Sequence, residues 1–145
     1  MTALSADRNT VRLQGDDRSG SVAAAVTIYA GALLMRDAAG NVLPGATATG
    51  SVGIGRAEQR VDNSTGAAGD VQVLYRPGVC HFANSAAADE LTIAEIGDVC
   101  FIVDDQTVAK TDGTATRSPA GVLEAVDENG VWVRLDEALT AAASA

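Results

Sequence analysis

The sequence predicts a mainly β protein: a small β-barrel or sandwich-like domain with one or two short helical turns and an extended N-terminal arm. Three observations lead there. Sixteen valines and fifteen glycines favour strands and turns over long helices. Short apolar runs alternate with polar residues and are punctuated by Pro-Gly, Asp-Gly and Asn-Gly pairs. The 145 residues are one domain's worth of chain, long enough for a core, yet 28 of the 68 apolar residues are alanine. Alanine adds little burial per residue, so a thin core supplemented by contacts with other chains is expected. The chain divides into an arm (1–20), a β domain (21–135) and an Ala-rich tail (136–145) that is either a frayed helix or disordered.

In the arm, Val11 and Leu13 alternate with Arg12 as in a strand, but 15–20 (Gly-Asp-Asp-Arg-Ser-Gly) can bury little. Such a segment is disordered alone or becomes ordered on a partner. The β pattern starts at Ser21, with Val22, Val26 and Ile28, then the run from Ala32 to Met35. Turns follow at 37–41 and at Pro44-Gly45. Thr49 to Arg56 alternates through Val52 and Ile54, with glycines that suggest a bulge or close packing. After the 63–69 loop, Val71, Val73 and Tyr75 share one face, opposite Gln72 and Arg76. Pro77-Gly78 turns into 79–82. Helix signals are confined to 85–96, where Thr92 to Glu95 matches a capping box. Val99, Phe101 and Val103 resume the alternation. Asp112-Gly113 and Asn129-Gly130 predict two-residue hairpins, the first between 107–110 and 115–117, the second between 121–126 and 131–135.

Charge is distributed unevenly. Residues 1–84 carry seven cations and seven anions, whereas 85–145 carry three cations against twelve carboxylates and supply the whole net charge of −9. The first part is suited to lie against another surface and the second to remain in water. An acidic chain with scattered cations and few aromatics argues against a nucleic-acid partner. The longest apolar stretch, Val22 to Met35, is too short to span a bilayer, so no membrane role is expected. The N-terminus lacks the basic-then-apolar order of a signal peptide, which implies a reducing cytoplasm and free Cys80 and Cys100 thiols.

No residue pattern announces catalysis. Cys80-His81 resembles a nucleophile and its base, but neighbours on a strand point to opposite faces. Two separated cysteines and one histidine make a poor metal set, and Asp104-Asp105 and Asp127-Glu128 lack calcium-loop spacing. The 53–58 segment (Gly-Ile-Gly-Arg-Ala-Glu) has Glu58 where a dinucleotide fingerprint needs its third glycine. Asn63-Ser64-Thr65 has the form of a glycosylation sequon and reads as a loop. Neither a cofactor, a metal nor a catalytic residue is expected.

Several segments, in order, suggest a family: 27–33 (Thr-Ile-Tyr-Ala-Gly-Ala-Leu), 55–58 with 61–63, 69–73, 78–84, 96–99, 103–108, 120–122 and 130–133 (Gly-Val-Trp-Val). Over roughly residues 20–135 the chain resembles the small head-decoration, or capsid cement, proteins of tailed bacteriophages and prophages, particularly the Mu-like type. The resemblance implies a β-barrel-like domain that sits as a homotrimer on the capsid exterior and clamps neighbouring copies of the major capsid protein. It also implies assembly in the host cytoplasm and no active site. On that footing Arg8, Val11, Arg12, Leu13 and Arg18 are the candidate capsid-interface residues, and removal of 1–20 is expected to abolish docking but not folding. The alternatives are a tail or baseplate β-protein, a Cys-dependent hydrolase, and a small-molecule-binding barrel.

Overall fold

The computed structural model describes residues 2–13 and 15–145. Its strands are β1 (Arg18–Ser21), β2 (Val26–Ile28), β3 (Leu33–Arg36), β4 (Val42–Pro44), β5 (Val52–Ala57), β6 (Val61–Asn63), β7 (Gln72–Arg76), β8 (Gly78–Phe82), β9 (Val99–Ile102), β10 (Val108–Ala109), β11 (Pro119–Asp127) and β12 (Gly130–Leu135). A closing helix α1 spans Glu137–Ala143. Sheet I has the order β1-β7-β5-β3-β4, sheet II the order β10-β9-β11-β12-β8, and β2 pairs with β6 as a separate ribbon. All pairings between these strands are antiparallel.

Alternation along β3 explains the layering. Leu33 and Met35 join a core formed mostly by sheet II, including Phe82, Leu91, Cys100, Ile102, Leu123 and Val133. Leu34 points the other way, into a second core with Ile28, Val42, Ile54, Val73 and Tyr75. Sheet I therefore lies between sheet II and the β2–β6 ribbon, and both its faces are apolar. Each sheet curls until its two ends touch at a single parallel bridge, Val22 to Val42 in sheet I and Ala83 to Thr107 in sheet II. Neither closes into a barrel, so the domain is a sandwich.

Two glycines allow close approach, Gly53 between the two sheets and Gly121 within sheet II. A Cβ on Gly53 would fall inside the Ala120 carbonyl of β11, and one on Gly121 would collide with the Arg134 carbonyl of β12. The capping box forms as expected: Thr92 accepts from the Ala94 N–H, and Glu95 accepts from the Thr92 N–H at 2.7 Å. It holds a single 3-10 turn (Ile93–Glu95), and a second turn covers Ala87–Asp89.

Four expectations need correction. The arm does not run to residue 20, because Arg18–Ser21 is β1, paired with β7. Asp112-Gly113 forms no hairpin. Gly113, Thr114 and Ala115 wind with φ near +60°, and the Thr116 and Arg117 N–H groups both return to the Asp112 carbonyl. In the strand from Val99, the buried residues are Cys100 and Ile102, while Val99 and Phe101 are half-exposed. The second hairpin is present, but Asp127 pairs with Gly130, so its two turn residues are Glu128 and Asn129. The C-terminal tail is helical, capped by Asp136, which accepts from the Leu139 N–H at 3.0 Å.

Candidate docking surfaces

The charge asymmetry of the sequence becomes a spatial one. Sheet I and the β2–β6 ribbon come from 18–76, whereas sheet II is built entirely from 78–135. The chain crosses between them at Pro77, so most carboxylates of the acidic part stay with sheet II. Asp104 and Asp105 instead reach the Ala46 and Leu33 backbone of the sheet I side, and Glu137 pairs with Arg36. On the acidic side all three cations are already engaged: Lys110 with Glu95 at 3.1 Å, Arg117 with Asp89 at 3.2 Å, and Arg134 with Glu124 at 3.7 Å. Among the described residues, the cations without a carboxylate partner are Arg8, Arg12, Arg18 and Arg60, all in the neutral part.

Residues 2–13 form no regular structure and every one is exposed. Val11 is 87% and Leu13 74% accessible, beside Arg8 and Arg12. Apolar side chains on a polar segment gain nothing from water, so these are the groups a partner would cover. Arg18 is placed differently. It is half-buried in β1, and its guanidinium donates to the carbonyls of Gly15 at 2.8 Å and Asp17 at 3.1 Å. The five candidate residues thus divide into four on the free arm and one that anchors its root.

Two further surface groups emerge only from the fold. On the ribbon side, the Arg60 guanidinium lies 5.3 Å from the centre of the Tyr29 ring, a cation–π pair exposed next to β2 and β6. On the outer face of sheet II, the Trp132 indole donates to Asp127 at 2.9 Å and its ring meets His81 edge-on at 4.9 Å. His81 Nε2 is 3.3 Å from the same carboxylate. The Trp132 hydrogen bond, the Asn129 N–H and His81 together hold the Asp127 carboxyl below its usual range.

The two thiols lie apart from that cluster. Cys80 packs against the core while His81 points outward, as strand alternation requires. Burial raises the Cys80 pKa and pushes that of Cys100 up to about 12, which disfavours the thiolate that a nucleophile needs. Asn63 of the sequon-like triplet is buried, and its amide donates to the carbonyls of Ala23 and Ala67. It pegs the ribbon to the chain rather than offering a modification site. No group of three or more potential metal ligands gathers among the described residues. A surface hollow of about 410 Å³ lies between the β11–β12 turn and Ala83 to Ser85 and is open to solvent.

Compared with protein-family models, with curated proteins and with solved structures, the chain matches none.

Proposed function

We propose that the protein is a capsid-decoration protein: it docks on the outer surface of a bacteriophage head and stabilises the lattice of the major capsid protein. The observation that carries this reading is the segregation of free groups. The arm offers unpaired Arg8 and Arg12 with uncovered Val11 and Leu13, and it is rooted in sheet I of a sandwich that carries most of its acidic excess on the sheet II side. Such a molecule can lie on a large surface through one side and keep the other in water.

The mechanism is additive. Each copy contributes a modest contact, and the arm loses conformational freedom as it orders on the shell. Binding only the expanded lattice stabilises that lattice by mass action. The homotrimer implied by the family resemblance would multiply these contacts without requiring any one to be strong.

The test is sedimentation of the purified protein with tailless expanded heads, with procapsids and with isolated tails. The reading predicts saturable, stoichiometric binding to expanded heads. Binding to tails alone would replace it with the tail or baseplate reading, and binding to none of the three would overturn both.

A further inference from the structure

Strand β8 forms one edge of sheet II and has a single neighbour, β12. Backbone alternation shows which groups its other side presents. In β7 the Leu74 carbonyl faces β5, where it accepts the Glu58 N–H, so odd-numbered residues face β1. Beyond β8 the Ala83 N–H points to that same side and donates to Gln106 at 2.8 Å. Val79 and His81 lie between, and their N–H and C=O groups have no partner among the described residues. The other edges of the two five-stranded sheets are blunted: β4 ends at Pro44, β10 is two residues long and β1 carries Arg18. Strand β8 has neither a formally charged side chain nor a proline, so it is an open template for another strand.

A fitting segment is adjacent in the same chain. In the β1–β7 ladder Arg18 is opposite Tyr75 and Ser21 opposite Gln72. The Asp17–Arg76 ion pair, at 2.6 Å, continues it by one step. Two steps further, Gly15 comes opposite Gly78, and both have positive φ (78° and 130°), so the two strands can bend together without a Cβ penalty. The same register then sets Leu13 opposite Cys80, Arg12 opposite His81 and Val11 opposite Phe82. Cys80 and Phe82 belong to the core side, and His81 is exposed beside Asp127. Leu13 and Val11 would therefore extend the buried row, while Arg12 joins the outer row near a carboxylate. A slip by one residue would reverse this and bury Arg12.

We propose that residues 11–13 are a latent edge strand that closes on β8 of the same molecule in the register set by β1 and β7; the present structure holds the open form. Gln106 and Thr107 already occupy the edge past Phe82, so the closed strand ends at Val11 and leaves Arg8 outside. Closing covers the free backbone of His81, opposite Arg12, and release presents the arm and that edge together. This strap is independent of what the protein docks on.

The experiment is disulfide trapping in the full chain. Facing residues at a non-hydrogen-bonded antiparallel pair have Cα atoms about 4.5 Å apart, within disulfide reach. Under mild oxidation Leu13→Cys should bond to Cys80 within one chain, identified by peptide mapping at monomer mass. Arg12→Cys, on the opposite face, should do so roughly tenfold more slowly. Equal rates, or a bond between chains, would overturn closure within the molecule. A second measurement needs no substitution: the His81 amide should exchange hydrogen faster once residues 2–13 are removed, and unchanged exchange would also overturn it. Neither measurement involves capsids, so the strap and the docking proposal fail separately.

Discussion

A methyl group at position 53 would occupy the space of the Ala120 carbonyl. Gly53→Ala must push β5 and β11 apart, with an expected loss of about 3 kcal/mol in chemical denaturation. Glu95 makes a pH-dependent contribution. Hydrogen bonds from the Thr92 side chain and backbone, together with Lys110, lower its pKa from 4.5 to about 2. A carboxyl depressed in the folded state contributes stability above the unfolded pKa and loses it as pH falls through the folded one. The contribution should be complete above about pH 5 and gone near pH 2. Glu95→Gln should flatten this part of the stability–pH curve, and an unchanged slope would show that another group dominates it. The Thr140 hydroxyl is buried without a hydrogen-bond partner among the described residues. Thr140→Val, nearly the same shape, should raise stability by about 1 kcal/mol in the same denaturation assay.

At the scale of elements, α1 depends on two devices: the Asp136 cap and the Arg36 guanidinium, which donates to Glu137 at 2.8 Å and to the Tyr75 hydroxyl at 3.0 Å. Asp136→Ala should cost about 1 kcal/mol and speed amide exchange in α1 before any other element. What could be read from the sequence follows how local each element is. The capping box, the β11–β12 hairpin and the β7 alternation involve residues close in the chain, so their patterns predict them. Strand β1 is different: Arg18 and Ser21 pair with residues more than fifty positions away, and nothing in the polar run 15–20 announces that partner. Asp112-Gly113 looked like a hairpin but lacks a second strand, and Arg117 instead fastens its loop to Thr111 and Asp89. The candidate surface divides the same way. The uncovered Val11 and Leu13 are visible in their polar surroundings, while Tyr29 and Arg60 meet only because β2 and β6 pair across more than thirty residues.

For the whole molecule, the charge step at the middle of the sequence coincides with the crossing from sheet I to sheet II. That coincidence is why a sequence-level asymmetry predicts a two-sided particle. The deletion of 1–20, expected to abolish docking but not folding, is a poor probe of docking alone, since a cut at residue 20 deletes most of β1 and uncovers β7. Removing 2–13 instead spares every strand. If the free arginines carry docking, Arg8→Ala with Arg12→Ala should weaken capsid binding and reduce its salt dependence, as measured by sedimentation across ionic strength. The central claim is that the neutral side and arm face the shell while the acidic side faces solvent. Hydrogen exchange of the protein bound to expanded heads tests it most directly. The account predicts new protection in residues 2–13 and in the β2–β6 ribbon, with the outer face of sheet II around Trp132 unchanged. Protection of that outer face, with the arm still exchanging freely, would contradict it.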